Sequence, residues 1–280
     1  MSCVYLERKD LGASLSSWIT TAMNALNAAF AEGLTGYVHW PEHHSPRAYR
    51  DSEAFERCPN MFAWYFDQPW CQAEPPSGAP VWVYEDAHEI ISRHPINNFS
   101  AFFRKYLVFN NDVVTRLDAL LARYALRPEH AIAVSWRGTD NVVDGRPRTP
   151  IDEYFPVIDA ILDAEPDIAI VAKPEERGAA DALLHRYPKA IVPAEFFVAE
   201  AGEKQMQDWV SPASGYERGM QVVLLILLFS RCKYLLKNNA NLSDIATRLS
   251  AGEVITWPGA TIWTKGAAER RTASFSRPQT

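Results

Sequence analysis

The chain has 280 residues, 48% of them apolar, and a formal net charge of −6 at pH 7. Its length suggests one large or two ordinary domains, with ample apolar material for a core. The negative charge argues against a general nucleic-acid-binding surface. The four cysteines are scattered without a CxxC pair, so neither a disulfide framework nor a structural zinc site is expected.

The sequence shows no targeting or membrane segment. Its start lacks a basic region followed by an apolar run, and its longest apolar run, residues 222–229, is far shorter than a membrane span. We therefore expect a cytoplasmic protein with no membrane span.

The first 40 residues predict a βαβ unit. Residues 3–6 form a candidate strand, residues 15–30 carry apolar side chains at helical spacing, and residues 37–40 form the next strand. Ser14 is a candidate N-cap of the helix, and Gly33 is a candidate C-terminal stop.

Residues 41–80 lack a periodic pattern and are rich in proline and aromatic residues. Aromatic rings flanked by charges suit the faces of sugars, whereas core filling would explain the same residues. The histidines of this region lack a carboxylate or cysteine at a recognisable metal-ligand spacing, so no metal site is predicted. A third strand at residues 81–84 and a mostly helical region at residues 98–124 follow. The candidate sugar-binding residues of this part of the chain are His39, Trp40, His43, His44 and Tyr65.

The second half alternates strands and helices with short connections, which is typical of a parallel, doubly wound sheet. We place a domain boundary before it, which divides the chain into residues 1–127 and 128–280. The predicted strands are residues 131–136, 168–172, 190–192 and 234–236. The predicted helices follow Thr149-Pro150, open at Pro174, span residues 218–231, and begin at a cap formed by Asn241 or Ser243.

Arg137 follows the apolar run of residues 131–136 directly. An apolar run that ends in a charged residue is typical of a buried parallel strand at its carboxyl end. Ligands of open α/β sheets bind beyond that end. The planar, permanently charged guanidinium suits a phosphate. A surface arginine on a loop is the alternative explanation.

Residues 135–141 (SWRGTDN) and 149–154 (TPIDEY) resemble the donor-site motif of the α1,6- and protein-O-fucosyltransferase superfamily. In that motif a strand ends in His-Val-Arg-x-x-Asp-Lys, and a loop leads into a Pro-Ile-x-x-Tyr helix. Residues 37–41 (YVHWP) and 60–66 (NMFAWYF) resemble the N-terminal half of small members. Residues 234–243 resemble the later strand–turn–helix that cradles the donor phosphates. The order of these stretches along the chain supports the resemblance.

The resemblance implies an α/β fold of the GT-B type, with two Rossmann-like domains whose parallel sheets face each other across a cleft. The N-terminal domain, residues 1–127, would bind a glycan acceptor, and the C-terminal domain, residues 128–280, a nucleotide-sugar donor. It also implies inversion at the anomeric carbon and no metal or other cofactor. The absence of any Asp-x-Asp sequence, the usual metal–nucleotide motif of the other large glycosyltransferase class, agrees with this.

The chain also departs from the family pattern. Ser135 stands where the family has histidine, and Asn141 where it has lysine. The later strand usually ends in Thr-Asp-Asp, whose acid helps to read guanine, whereas residues 172–175 here are Ala-Lys-Pro-Glu. A uridine donor is therefore an alternative to a guanosine donor. The sequence is also similar to small chlorovirus glycosyltransferases, including a xylosyltransferase that uses UDP-xylose.

The chemistry of sugar transfer suggests roles for particular residues. Arg137 would stabilise the departing diphosphate, and Asp144 would be the general base. Asp140 is an alternative base, as are Glu7, Asp10 and Glu42 of the first domain. Lys237 would add charge to the donor site or lie at the surface. The expected donor-binding residues are Arg137, Gly138, Asn141, Ala172, Lys173, Lys237, Asn239, Asn241, Leu242 and Ser243.

Three functions are therefore compared. The first is a cytosolic, metal-independent, inverting glycosyltransferase that transfers fucose or a pentose such as xylose to a glycan hydroxyl. The second is a sugar- or nucleotide-binding protein of the same fold that has lost catalysis. The third is an α/β enzyme with another phosphate-bearing ligand, against which stands the absence of a GxGxxG or GxxxxGK[ST] sequence after a strand.

Overall fold

The computed structural model describes residues 3–10, 12–71, 75–76, 78–136, 150–198, 213–237, 241–250 and 253–256. The chain forms two compact units. Unit 1 comprises Met1–Arg116 and Val210–Leu224, and unit 2 comprises Leu117–Trp209 and Leu225–Thr280. The division of the chain into domains at residues 127 and 128 stays a prediction.

Unit 1 is built on a parallel three-stranded sheet. Strand β1 (Cys3–Glu7) leads through helix α1 (Leu15–Ala31) to β2 (Thr35–Val38). Strand β4 (Val81–Val83) pairs with the other side of β1, so the strand order is β2-β1-β4. The predicted βαβ unit is therefore confirmed, although β2 lies two residues earlier than expected.

Local chemistry explains where α1 begins and ends. The Ser14 Oγ accepts a hydrogen bond of 3.3 Å from the Ser17 backbone N–H, which satisfies a donor that the first helical turn leaves unpaired. Gly33 has a φ of +70°, a left-handed conformation that glycine adopts without strain. At Gly36 of β2, a Cβ atom would lie 2.7 Å from Leu6 Cδ1 and 2.8 Å from Leu26 Cδ1. Glycine there lets the sheet and α1 pack closely.

The remaining described elements of unit 1 are short. The region that we expected to be mostly helical is interrupted by β5, which pairs antiparallel with β3. The aromatic stretch around Phe62 packs in the core, as core filling had suggested. These elements are 3₁₀-helices at Arg47–Tyr49 and Met61–Trp64, α2 (Ser52–Arg57), β3 (Phe66–Asp67), α3 (His88–Arg93), α4 (Phe99–Tyr106), β5 (Val108–Phe109) and α5 (Asn111–Arg123), which continues into unit 2.

Unit 2 contains a second parallel sheet, in the order β7-β6-β8-β9. Its central strand β6 is buried along its whole length, as the apolar run predicted. Apolar side chains of Ile132, Val134 and Trp136 pack against the helices on one face of the sheet. The elements after a 3₁₀-helix at Pro128–His130 are β6 (Ala131–Trp136), a 3₁₀-helix at Ile151–Tyr154, α6 (Phe155–Ala164), β7 (Ala169–Pro174), α7 (Arg177–Arg186), α8 (Gly215–Arg231, which begins in unit 1), β8 (Tyr234–Lys237), α9 (Asn241–Leu249) and β9 (Glu253–Thr256).

Three predictions for unit 2 were wrong in detail. Pro174 ends β7, level with Trp136 of β6, instead of opening the next helix. Ile191 makes only an isolated parallel bridge to Val171. Helix α9 begins at Asn241, so both candidate caps, Asn241 and Ser243, are helical residues and neither flanks the helix as its cap. No helix within the described ranges is long and apolar enough to cross a membrane.

Candidate functional site

The carboxyl edge of the unit 2 sheet is a topological switch point. From β6 the chain passes through α6 to β7 on one side, and it later enters β8 on the other side of β6. Connections that diverge in this way leave a crevice at the carboxyl ends of the two strands, where ligands of open α/β sheets bind. The predicted donor site therefore falls at a position that the topology favours.

Two lysines lie at this edge. Ser135 of β6 is in register with Lys173 of β7 and with Lys237 of β8. Residues in register on parallel strands project to the same face of a sheet, so the three side chains share one face. Lys237 is only 3% exposed and forms an ion pair with Asp244 in the first turn of α9. It is therefore not the surface residue that we considered as an alternative.

Helix α9 supplies the other described part of this edge. Ser243 is fully buried, and its backbone oxygen accepts a hydrogen bond of 2.7 Å from Thr247 Oγ1. Leu242 is half-buried. Ala172 does not fit a side-chain role in donor binding, because it is 2% exposed and packs in the apolar cluster between β7 and the adjacent helices.

Several residues predicted for the donor site lie outside the described residues. Their roles stay predictions from the sequence. They are Arg137, Gly138, Asp140, Asn141, Asp144 and Asn239.

The carboxyl edge of the unit 1 sheet carries a carboxylate between two imidazoles. Glu7 is the last residue of β1, and His39 follows β2 directly. The Glu7 Oε1 lies 2.8 Å from His39 Nδ1, and the Glu7 Oε2 lies 3.0 Å from His44 Nδ1. The Glu7 side chain is 12% exposed, and the two imidazoles are 20% and 22% exposed. This edge is also a switch point, because β2 and β4 flank β1 on opposite sides.

The two imidazoles keep Glu7 ionised. Burial by itself raises the pKa of Glu7, but hydrogen bonds and charge interactions with His39 and His44 outweigh it and lower that pKa below its usual value. The third histidine of this group, His43, packs its ring against His44 with a centroid distance of 4.1 Å.

The loop after β1 is fixed by Arg8. Its guanidinium donates hydrogen bonds of 2.9 Å to Ser17 Oγ and 2.8 Å to Thr21 Oγ1 on α1, and a third of 2.9 Å to Asp10. The same loop contacts the segment after β4, where Lys9 Nζ donates a 2.9 Å hydrogen bond to Asp86 Oδ2. Glu7 therefore stands on a part of the chain that is held from both sides.

Two of the predicted acceptor-binding residues are core residues. Trp40 is 1% exposed, with edge-to-face contacts to Trp18 and Phe62. Tyr65 is fully buried, and its hydroxyl donates a 3.0 Å hydrogen bond to the Tyr216 backbone oxygen. Neither ring offers a face on which a sugar could stack.

The sequence alone does not reveal the contact between Glu7 and the two histidines, although Glu7 is one of the alternative bases. The sequence nevertheless contains the information needed to predict this contact, because β1 and β2 of a βαβ unit are parallel and their carboxyl ends meet at one edge of the sheet. A glutamate at the end of the first strand and a histidine just after the second are thereby brought together. Among the described residues, no cluster of three or more His, Cys, Asp or Glu side chains has the arrangement of a metal site.

Comparisons with known proteins identify the fold. Neither the protein-family models nor the curated proteins gave a match. Among solved structures, the fucosyltransferase NodZ from Bradyrhizobium is similar with a TM-score of 0.56 and 14% identity, over 95% of this chain and 99% of that chain. NodZ α-1,6-fucosyltransferase co-crystallized with GDP gives a TM-score of 0.56 and 13% identity, over 95% and 100%. A mutant of Arabidopsis thaliana FUT1 in complex with GDP is similar with a TM-score of 0.52 and 11% identity, over 91% of this chain and 69% of that chain.

This chain has the GT-B fold of these fucosyltransferases. The expected fold class, α/β with two parallel sheets, is confirmed. The similarity to NodZ extends over nearly the whole length of both chains.

Proposed function

We propose that this protein is a glycosyltransferase that moves a sugar from a nucleotide-sugar donor to a hydroxyl group of a glycan acceptor. The observation that carries the proposal is the shared GT-B fold, which matches a fucosyltransferase over 95% of this chain and 99% of that chain. The transfer would invert the anomeric centre and need no metal ion, with fixed cations in the place of the ion.

The donor would bind at the carboxyl edge of the unit 2 sheet. Arg137 follows β6 directly, and an arginine fork matches the oxygens of a diphosphate. Lys173 lies level with Ser135 on the neighbouring strand and adds positive charge. Lys237 is already paired with Asp244, so we assign it mainly to positioning α9, whose N-terminal N–H groups favour an anion.

The donor nucleotide has two candidates. NodZ has been crystallized with GDP and soaked with GDP-fucose, which supports a GDP-linked sugar here. Residues 172–175, Ala-Lys-Pro-Glu, depart from the Thr-Asp-Asp ending whose acid helps to read guanine, which supports a UDP-linked pentose such as UDP-xylose. The glycan acceptor would meet the carboxyl edge of the unit 1 sheet, where His39, His43 and His44 lie together.

A catalytically inactive sugar- or nucleotide-binding protein is the alternative. It is favoured by Ser135, which stands in the position of the family histidine and is 9% exposed. Turnover separates the two functions, because a binding protein would retain nucleotide affinity and release no product.

The test is donor turnover with a chelator present. Purified protein is incubated with GDP-fucose and, separately, with UDP-xylose, in EDTA and with a mixture of oligosaccharide acceptors, and release of free GDP or UDP is measured. We expect release from one donor, and loss of that release in Arg137→Ala. No release from either donor, or release only after a divalent metal is restored, would contradict the corresponding part of the proposal.

A further inference from the structure

The hydrogen bonds around Glu7 determine which nitrogen of each histidine carries a proton. An ionised carboxylate has no proton to donate and can only accept hydrogen bonds. Each Glu7 oxygen contacts one imidazole Nδ1, at 2.8 Å for His39 and 3.0 Å for His44. Both Nδ1 atoms must therefore be protonated, and in the neutral rings both Nε2 atoms keep a free lone pair.

The Nε2 atoms are available to a substrate. Within the described residues, neither Nε2 atom has a hydrogen-bond partner. Neither is among the side-chain atoms that are both buried and without a partner, so each has some exposure to solvent. The His39 ring packs against the rings of Tyr5 and Tyr37, with centroid distances of 5.4 Å and 6.4 Å. This ring is therefore oriented by its carboxylate, supported by aromatic neighbours and accessible at its basic nitrogen.

Within the described residues, the cations beside this group have partners other than Glu7, although the charge of Lys9 also interacts with the Glu7 carboxylate. Lys9 pairs with Asp86, Arg8 with Asp10, and the Arg50 guanidinium donates to the backbone oxygens of Ser45 and His43. Besides Glu7, His39 and His44, the titratable or charged side chains of residues 5–10, 37–50 and 84–86 are Tyr5, Arg8, Lys9, Asp10, Tyr37, Glu42, His43, Arg47, Tyr49, Arg50, Tyr84, Glu85 and Asp86.

We propose that His39, oriented by Glu7, is the general base of the transfer reaction, and that His44 binds a second hydroxyl group of the acceptor. This inference rests on the proposed glycosyltransferase function and names the acceptor site within it. The His39 Nε2 takes the proton of the acceptor hydroxyl while that oxygen forms a bond to the anomeric carbon. The bond from the anomeric carbon to the nucleotide diphosphate breaks, and its electron pair leaves with the diphosphate. Glu7 stabilises the imidazolium that results.

Glu7 itself is a poorer base than His39. Both of its oxygens are occupied by imidazole N–H groups, and its lowered pKa weakens its affinity for a proton. Asp144, the base expected from the sequence, is the competing assignment, and the two make different predictions for the same variants.

A second histidine–glutamate pair in unit 1 provides a matched control. His94 contacts Glu32 through Nε2 at 2.6 Å, and Asn27 Nδ2 donates a 2.8 Å hydrogen bond to the His94 backbone oxygen. This pair follows the C-terminal ends of α1 and α3, away from the carboxyl edge of the sheet. Its imidazole is bound through the other nitrogen, so its proton is expected on Nε2.

The first test is independent of activity. The seven histidines are labelled with ¹⁵N, and their ring nitrogens are observed by long-range proton–nitrogen NMR, with assignments from His39→Ala, His44→Ala and His94→Ala. We expect unprotonated Nε2 in neutral His39 and His44, and protonated Nε2 in His94. In Glu7→Gln, whose amide can donate a proton to one Nδ1, at least one of the first two rings should change tautomer. A protonated Nε2 in neutral His39 would overturn the proposal, whether or not the protein transfers sugar.

The second test uses turnover. His39→Ala should lower kcat by about 10²- to 10⁴-fold, the usual range for a general base, with less effect on the acceptor KM. The wild-type kcat/KM should depend on pH, because a general base must be unprotonated to act, and this dependence should disappear in His39→Ala. His94→Ala should keep the wild-type profile.

Nucleotide binding separates this proposal from the function on which it rests. A His39→Ala variant that binds GDP or UDP normally and still turns over at the wild-type rate would overturn the assignment of the base and leave the transferase intact. The same would follow if Asp144→Asn, and not His39→Ala, removed the pH dependence. A wild-type protein that binds neither nucleotide would contradict the transferase instead.

Discussion

The two sheet edges have the same topology and opposite chemistry. In each unit the first strand is flanked by the next strand of its βαβ unit on one side and by a later strand on the other. At the unit 1 edge a carboxylate lies between two imidazoles. At the unit 2 edge Lys173 and Lys237 lie on both sides of Ser135, and Lys237 pairs with Asp244. The fold therefore fixes where a ligand can bind, and the residues after the strands decide what it can be.

The proposed transfer reaction would use both kinds of chemistry. A cationic edge stabilises negative charge on a leaving diphosphate, and an edge with an oriented base accepts a proton from the attacking hydroxyl. The comparison can be tested by substituting the charged residues of one edge at a time and measuring activity and stability in each variant.

The largest effect is expected for Arg137→Ala. If Arg137 is the main cation for the diphosphate, as we propose, its removal should lower transfer by about 10²- to 10³-fold or more, with the folded state preserved. Turnover and far-ultraviolet circular dichroism measure the two properties. Arg127→Ala is the matched control, because the Arg127 side chain is 71% exposed and pairs with Glu129. Equal activity in both variants would show that the diphosphate does not bind at this edge.

The next effect concerns the buried ion pair of unit 2, and it should be asymmetric. Asp244→Asn leaves the Lys237 charge, 4% exposed, without its partner and should lower the free energy of unfolding by about 2–3 kcal/mol. Lys237→Met leaves Asp244, 43% exposed, in contact with water and should cost about 1 kcal/mol or less. Urea unfolding of the two variants checks this order. Equal losses would mean that Lys237 reaches solvent.

Unit 1 should show its own dependence on pH. Because the pKa of Glu7 is lower in the folded protein than in the unfolded chain, its stabilising effect is present above the unfolded value, about 4.3, and is lost as the pH falls through the folded value. Glu7→Gln should therefore cost about 1.5 kcal/mol at pH 7 and progressively less as the solution is acidified below pH 4. Urea unfolding at several pH values measures this.

Glu56→Gln is the control for that series, since Glu56 is exposed on α2. A difference between Glu7→Gln and the wild type that does not change with pH would show that Glu7 contributes by packing and not by charge.

The smallest effect is expected at the first turn of α1, beside the unit 1 edge. Ser14→Ala removes the Oγ that accepts from the Ser17 N–H and should cost about 1 kcal/mol of stability. Thermal unfolding measures the loss, and Ser14→Asp, which restores a capping oxygen, should recover it. A variant with alanine as stable as the wild type would mean that water replaces the cap.

The sequence predicted the elements that carry a strong periodic or apolar signal. The run ending at Trp136 became a buried central strand, and Ser14 and Gly33 mark the ends of α1. The errors arose where one residue suits two structures. Pro174 reads as a helix start, but its pairing level with Trp136 places it at the end of a strand. A proline there is compatible with a strand that ends at this point.

The candidate site was only partly predictable, because side-chain partners depend on tertiary contacts. The spacing of His39 and His44 does not reveal that Glu7 lies between them, since the carboxylate is 32 and 37 residues away. Trp40 and Tyr65 have the composition of a sugar-stacking surface, yet burial makes them core residues. An aromatic residue beside charges cannot be assigned to a core or to a surface until its neighbours are known.

Calorimetric titration with nucleotide tests the central claim most directly. The wild-type protein is titrated with GDP and with UDP in EDTA, and the titration is repeated with Arg137→Ala. We predict that one of the two nucleotides binds the wild type without a divalent metal, and that Arg137→Ala weakens this binding at least tenfold. Binding of neither nucleotide, or binding that requires a metal ion and ignores Arg137, would contradict a metal-free donor site at the unit 2 edge.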